Sequence, residues 1–175
     1  MKQHIGIYSG TFDPIHNGHI MFASETLRIC RLDKVIFLPE PRPREKPDVT
    51  DIAERVSLIQ KAIRGEKDLA VLALRSPQFT TSETLPRLRT LFKDADLTLL
   101  VGSDVVRTFP YRWQNLDRLL REVTLAIGMR VGDESSDIIE IIESLQKKYD
   151  TQVRYTLIQT TQSHIASSHI RKTDN

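Results

Sequence analysis

Short apolar runs alternate along the whole chain with apolar residues set at helical spacing. "HIGIY" (4–8) is rich in β-branched residues and stops at Ser9-Gly10, which predicts a strand. Over 18–32, Ile20, Met21, Ala23, Leu27, Ile29 and Cys30 recur at the spacing of one helix face. "KVIFLP" (34–39) is a continuous apolar run of strand length, ended by Pro39. Residues 51–65 predict a helix: Asp51 and Glu54 hold capping-box positions, Ile52, Val56, Ile59, Ala62 and Ile63 form one face, and Gly65 closes it. "LAVLAL" (69–74) is a third strand, followed by a helix over 82–93 with Ser82 as its cap and Pro86 in its first turn. "LTLLVG" (97–102) and "VTLAIGM" (123–129) are further strands, separated by a loop and a helix around 113–120. An amphipathic helix over 136–149, a strand over 153–159 and a short capped helix over 167–172 complete the pattern.

Strands of this kind alternating with helices imply βαβ units, right-handed crossovers and a mainly parallel sheet. The expected architecture is a Rossmann-like, doubly wound α/β fold in which residues 1–175 form a single domain. The polar, proline-rich segment 40–50 ("EPRPREKPDVT") interrupts the alternation without ending it. Its eleven residues are long for a connection in such a domain, as expected of a loop that covers a site or moves.

Composition narrows the field only modestly. The 175 residues, 39% hydrophobic and 27% charged, suit a globular chain with one sizeable core. With 25 basic and 23 acidic side chains, the net charge of +2 gives no argument for a nucleic-acid partner but leaves a phosphorylated small molecule open. The single cysteine, Cys30, excludes an intramolecular disulfide and reads as a small core residue. No stretch has the length of a membrane span or the apolar region of a signal peptide, so a cytoplasmic location without membrane contact is expected.

The chemistry concentrates in "SGTFDPIHNGH" (9–19), which leaves the first strand and enters the first helix. In an open parallel sheet, ligands gather at the carboxyl ends of the strands. Gly10 permits close approach of the backbone to a ligand, Thr11 supplies a hydroxyl, and Pro14 fixes the bend. The helix beyond offers unpaired N–H groups and a partial positive charge, which suit a phosphate. His16 and His19, three apart, lie on neighbouring helix positions and reach one anion, with Gly18 between them clearing space. Metal ligation and plain packing are the other readings of two such histidines; no carboxylate at matching spacing completes a metal site.

"GTFDPIHNGH" resembles the signature of the nucleotidylyltransferase superfamily, in which a Gly-Thr/Ser-Phe-Asp-Pro segment precedes His-x-Gly-His. The resemblance implies that His16, His19 and Thr11 engage the triphosphate of ATP as catalytic residues, within an ATP site that includes Gly10, Phe12 and Gly18. "IASSHIRK" (165–172) is similar to the family's second phosphate motif, which places Ser167, Ser168 and Arg171 on ATP, with Ala166 where the family has a serine. Further stretches resemble the nicotinate/nicotinamide mononucleotide adenylyltransferases. "VGSDVVRTFPYRW" (101–113) matches their Gly-x-Asp segment and following tryptophan, which implies ATP contacts at Gly102 and Asp104 and ring stacking on the pyridine at Trp113. "TTSETL" (80–85) implies acceptor contacts at Thr81 and Thr84. "PRPREK" (41–46) implies a phosphate-facing Lys46, with Arg44 near the family's histidine, and the arginine-led helix places Arg55 in register.

The resemblance therefore implies transfer of AMP from ATP to nicotinate or nicotinamide mononucleotide, with Mg2+ and release of pyrophosphate, by a protein whose partners are small molecules and which forms a possible homo-oligomer. Arg107 and Arg112 are the candidates for preferring a carboxylate on the pyridine. Another adenylyltransferase, such as one acting on phosphopantetheine, and a non-catalytic nucleotide-binding module are the competing readings.

Overall fold

The computed structural model describes residues 2–42, 48–73 and 76–159. Six strands form one sheet: β1 (His4–Gly10), β2 (Lys34–Pro39), β3 (Leu69–Val71), β4 (Asp96–Gly102), β5 (Thr124–Met129) and β6 (Tyr155–Gln159). Their order is β3-β2-β1-β4-β5-β6, and every neighbouring pair is parallel. The chain thus winds outward from β1 in one direction and from β4 in the other. Between β1 and β4 the winding reverses, which opens a crevice at their carboxyl ends.

Continuous apolar strands are what burial on both faces requires. In β4, Leu97, Leu99 and Val101 point into one core cluster and Leu100 into the other. The first cluster packs beneath α3 (Thr84–Leu91), α6 (Leu116–Glu122) and α7 (Ser135–Tyr149) through Leu85, Leu88, Leu116, Leu120, Ile138 and Ile142. The second packs beneath α1 (Asn17–Ile29) and α2 (Ile52–Ala62) through Phe22, Ala23 and Ile59. Two short helices, α4 (Ser103–Val106) and α5 (Phe109–Arg112), lead away from β4.

Several boundaries differ from the expectation. The first helix ends at Ile29 rather than running to 32, because Arg31 turns left-handed (φ 51°) and the Leu32 N–H donates to the Leu27 carbonyl, a Schellman-type stop made without glycine. Cys30 at that cap is half-buried against the second cluster. β3 stops at Val71, and α3 starts at Thr84, not at Ser82, which is exposed. Its lead-in turn is built by two threonines: the Thr80 N–H donates to Thr84 Oγ1 (3.0 Å), and the Glu83 N–H to Thr80 Oγ1 (3.2 Å). The stretch 103–112, expected as loop, holds α4 and α5. The expected helix over 167–172 lies outside the described residues.

Candidate functional site

β1 and β4 end level. Tyr8 pairs with Leu100, and two residues further along each strand stand Gly10 and Gly102, the last of their strands. Between these ends lies a cavity of about 460 Å³ lined by Gly10, Thr11, Phe12 and His19 on one side and by Gly102, Asp104, Val105 and Thr108 on the other. A second cavity, of about 380 Å³, opens beside it and is lined by Thr80, Thr81, Ser82 and Gln114. Gln78, Phe79, Arg112 and Trp113 line both, so these four form the partition.

The segment after β1 is folded tightly against the sheet. Phe12 adopts a left-handed φ of 49°, which turns its buried ring under Gly10; a Cβ at Gly10 would stand 3.2 Å from that ring. Phe12 then packs edge-on to Tyr8 and to the His19 ring, with centroids 5.1 Å away in each case. The peptide Asp13-Pro14 is cis, and the buried Asp13 accepts the Thr50 N–H (3.2 Å). His16 is the N-cap of α1, and His19, in its first turn, accepts the His16 N–H at Nδ1 (3.3 Å). The two imidazoles stack, centroids 3.7 Å apart. Burial lowers the His16 imidazole below its ordinary value, and its buried Nδ1 has no hydrogen-bond partner among the described residues. His19 faces the cavity; His16 reaches it through His19 and is not among the lining residues. Gly18 occupies the second position of α1, where free N–H groups and the helix dipole favour an anion.

The opposite wall is organised by carboxylates. Asp104 pairs with Arg130 (2.7 Å), and both line the larger cavity. A Cβ at Gly102 would run into Asp104 Oδ1, so the present Asp104 position depends on the glycine. Asp133 fixes the surroundings: it accepts from the buried Ser103 hydroxyl, from the Arg130 N–H (2.7 Å) and from Arg107 (3.1 Å). Burial acts to raise the Asp133 carboxyl, but these bonds and the Arg107 charge outweigh it and hold the group below the usual carboxylate range. Burial, with Asp104 adding to it, pushes the Tyr8 phenol above its ordinary value, so Tyr8 stays neutral beneath the crevice.

Two residues that no sequence pattern singled out as site residues tie the walls together. Glu40 lines the larger cavity and accepts at Oε1 from the Ser9 hydroxyl (3.1 Å) and from the Phe79 N–H (3.1 Å), joining the exit of β1 to the partition. Arg55 of α2, fully buried, donates to four carbonyls: Thr50 (2.7 Å), Thr11 (2.7 Å), Glu40 (2.9 Å) and Pro41 (3.2 Å). It therefore clamps both described ends of segment 40–50 and the Thr11 turn to one helix. Arg130, which lines the larger cavity, was likewise not singled out by the sequence.

Trp113 is wedged rather than loose. Its indole N–H donates to Thr108 Oγ1 (3.1 Å), and its ring meets Phe109 edge-on at 5.0 Å and Phe79 at 6.1 Å. Thr81 is buried, lines the smaller cavity, and its hydroxyl has no hydrogen-bond partner among the described residues. Thr84 lines neither cavity; its hydroxyl oxygen braces the Thr80 N–H instead. Lys46 and Arg44, like Ser167, Ser168 and Arg171, lie outside the described residues. Among the described residues, no cluster of three histidine, cysteine or acidic side chains has the arrangement of a metal site. No helix there is long and apolar enough to cross a membrane.

A parallel sheet that reverses at β1/β4, with a stacked histidine pair at the start of α1, is the frame of a nucleotide-binding enzyme, and known proteins identify which. The chain belongs to the cytidylyltransferase-like family, whose model matches residues 7–173, and is a nucleotidyltransferase. Its relatives place it with the nicotinate-nucleotide adenylyltransferases. The Clostridium perfringens protein named probable nicotinate-nucleotide adenylyltransferase is 32% identical over 157 residues, spanning 86% of this chain and 77% of that protein. The protein of the same name from Thermomicrobium roseum is 32% identical over 173 residues, spanning 96% of this chain and 78% of its own length. In fold, the chain matches the solved Plasmodium falciparum nicotinic acid mononucleotide adenylyltransferase complexed with NaAD, with a TM-score of 0.78 at 20% identity, covering 97% of this chain and 83% of that one.

Proposed function

We propose that the paired cavities carry out adenylyl transfer from ATP to nicotinate mononucleotide, yielding the NAD-type dinucleotide and pyrophosphate, as a step of NAD biosynthesis. The observation that carries this reading is the partition. One cavity has a cradle for phosphates, the other has aromatic and hydroxyl walls, and Trp113 borders both. ATP occupies the larger cavity, with its triphosphate against Gly10, Thr11, His19 and the start of α1, with His16 acting behind His19, and with its nucleoside toward Gly102 and Asp104. The pyridine ring of the acceptor occupies the smaller cavity against Trp113, whose indole face suits an electron-poor ring.

The reaction needs alignment more than proton transfer. The acceptor's 5′-phosphate oxygen attacks the α-phosphorus of ATP, the new phosphoanhydride bond forms, and the bond to the β-phosphate oxygen breaks to release pyrophosphate. That nucleophile is already anionic near neutral pH, since a phosphate monoester has its second pKa near ~6. What the protein supplies is proximity and relief of repulsion between anions, from His19, the α1 amides and Arg130. Lys46, Ser167, Ser168 and Arg171 belong to this reading as further phosphate contacts carried over from the sequence. The two carboxylates at the larger cavity, Glu40 and Asp104, are engaged by Ser9, Phe79 and Arg130. A Mg2+ ion brought by ATP would be held by phosphate oxygens and water rather than by these carboxylates, and would supply charge neutralisation on the leaving pyrophosphate.

A cytoplasmic location, partners limited to small molecules and residues 1–175 acting as one domain are part of the reading; a homo-oligomer is compatible with it. The test is pyrophosphate release from ATP and Mg2+ with nicotinate mononucleotide, nicotinamide mononucleotide and phosphopantetheine in parallel. Turnover with a pyridine mononucleotide alone is expected. Turnover only with phosphopantetheine, or none with any acceptor, would refute the assignment.

A further inference from the structure

The chain leaving β2 is bonded to both walls of the paired cavities. Pro39, the last residue of β2, pairs with Gly10, and the Glu40 N–H donates to the Gly10 carbonyl (3.0 Å). The Glu40 carboxylate then reaches both ways from one oxygen. Its Oε1 accepts the Ser9 hydroxyl (3.1 Å) from the end of β1 and the Phe79 N–H (3.1 Å) from the partition. Two residues on, the Arg42 N–H donates to the Pro77 carbonyl (2.8 Å), a second tie to the run that carries the partition. One guanidinium nitrogen of Arg55 donates to the Glu40 carbonyl (2.9 Å) and to that of Thr11 (2.7 Å), which holds Glu40 level with the cradle.

Ser9 and Gly10 line the larger cavity, and Phe79 lines both, its buried ring 6.1 Å from that of Trp113. The Ser9 hydroxyl has one hydrogen and a second acceptor in reach, the Leu38 carbonyl at 3.3 Å, so removing Glu40 re-aims it. The same removal cuts the partition loose from β1. A carboxylate beside anionic substrates is ill suited to holding a phosphate. It is well suited to holding two neutral donors, since a charged acceptor makes the stronger bond. In the functional reading given above, ATP and the acceptor sit in different cavities, and their relative placement sets the rate. A shift of about 1 Å takes the attacking oxygen out of line with the α-phosphorus and can cost about 100-fold. We propose that Glu40 is a positioning residue for adenylyl transfer: its Oε1, shared by the Ser9 hydroxyl and the Phe79 N–H, sets the ATP cavity against the acceptor cavity. It acts through these two partners and not by touching either substrate. This deepens that functional reading and rests on it.

Glu40→Gln, Glu40→Ala, Ser9→Ala and the double variant Ser9→Ala/Glu40→Ala are compared with the parent protein, using ATP, Mg2+ and nicotinate mononucleotide. Steady-state KM values are measured for both substrates. Dinucleotide formation is followed in a single turnover with enzyme in excess, which separates chemistry from product release. Glu40→Ala is expected to lower the single-turnover rate about 30-fold or more, the scale of a sub-ångström misplacement, with each KM moving less than about threefold. Glu40→Gln, whose amide oxygen accepts from the same two donors, is expected to keep most of the parent rate. Ser9→Ala is expected to slow the parent several-fold and to add little in the Glu40→Ala background, because the two residues act as one unit. Glu40→Gln as slow as Glu40→Ala, or a KM that rises as much as the rate falls, would make Glu40 a substrate contact and overturn the inference. Fully additive losses from Ser9 and Glu40 would overturn it too. Should Glu40→Ala not fold, Ser9→Ala decides: a slowed single turnover with unmoved KM values supports the tie, and an unchanged rate overturns it. A parent protein inactive with every pyridine mononucleotide would overturn the functional reading and this inference with it. An active parent with an equally fast Glu40→Ala would overturn this inference alone.

Discussion

His16 and His19 stack face to face, with ring centroids 3.7 Å apart and planes 25° from parallel. Positive charge on both rings at that separation would be repulsive, and a bound anion would relieve it. In the proposed reading the triphosphate is that anion, and nucleotide binding is expected to be linked to proton binding.

Burial lowers the His16 imidazole in the empty protein, so the unfolded chain takes up its proton first as pH falls. The contribution of His16 to stability is therefore complete above its usual value near ~6.5 and is lost as pH drops through the lowered one. In the proposed reading ATP would favour the charged ring and reverse the sign for the complex. Calorimetry of ATP binding near pH 6.5 in two buffers of different ionisation enthalpy should show net proton uptake, and His16→Asn should show less. Equal uptake by the two proteins would mean that His16 does not titrate with the ligand.

His19 is the histidine that faces the larger cavity. His19→Ala should lower kcat at least ~100-fold, the scale of losing one donor to a developing anion. Circular dichroism melts would accompany the rate measurement. Near-normal turnover would make the ring a packing element for Phe12 and Tyr8.

Gly102→Ala places a methyl where Asp104 Oδ1 now stands. The Asp104 side chain is half-exposed and free to swing aside, so the fold should survive with its melting temperature nearly unchanged. The Asp104–Arg130 pair should not survive. KM for ATP is expected to rise about tenfold with kcat less affected, on the scale of one charge-assisted contact. Initial-rate kinetics decide it.

Arg55 donates to four carbonyls from a fully buried position. Arg55→Leu leaves those acceptors without their donor and should destabilise the protein by about 3 kcal/mol or more. For a chain of this size that corresponds to a fall in Tm of roughly 6–12 °C, read by a thermal melt. A shift of a degree or two would show that water replaces the guanidinium at little cost.

The strands were legible because burial on both faces leaves an unbroken apolar run: residues 34–39 and 97–102 read as strands from side chains alone, and the structure adds only Asp96 to the second. The candidate cradle stood out in the sequence because its residues, 10–19, are consecutive. α4 and α5 were not, since helices of four residues show no apolar period. The early stop of α1 was hidden because Arg31, not a glycine, takes the left-handed turn. Glu40 and Arg130 left no trace as wall residues, and Arg55 was matched only as part of a helix. Their partners are hydroxyls, backbone groups and a carboxylate brought near by the sheet, and no local pattern encodes such a neighbour. Thr84 shows the converse, a residue in the right register whose hydroxyl shapes a turn instead of a wall.

The crevice at the winding reversal is shared between the start of α1 and the end of β4, which lie on opposite sides of a long crossover. A polypeptide still emerging from the ribosome has made its histidine pair long before Gly102 and Asp104 exist beside it. If ATP occupies this crevice as proposed, its full set of contacts exists only once β1 and β4 have paired, so binding would report that the two halves of the sheet are joined.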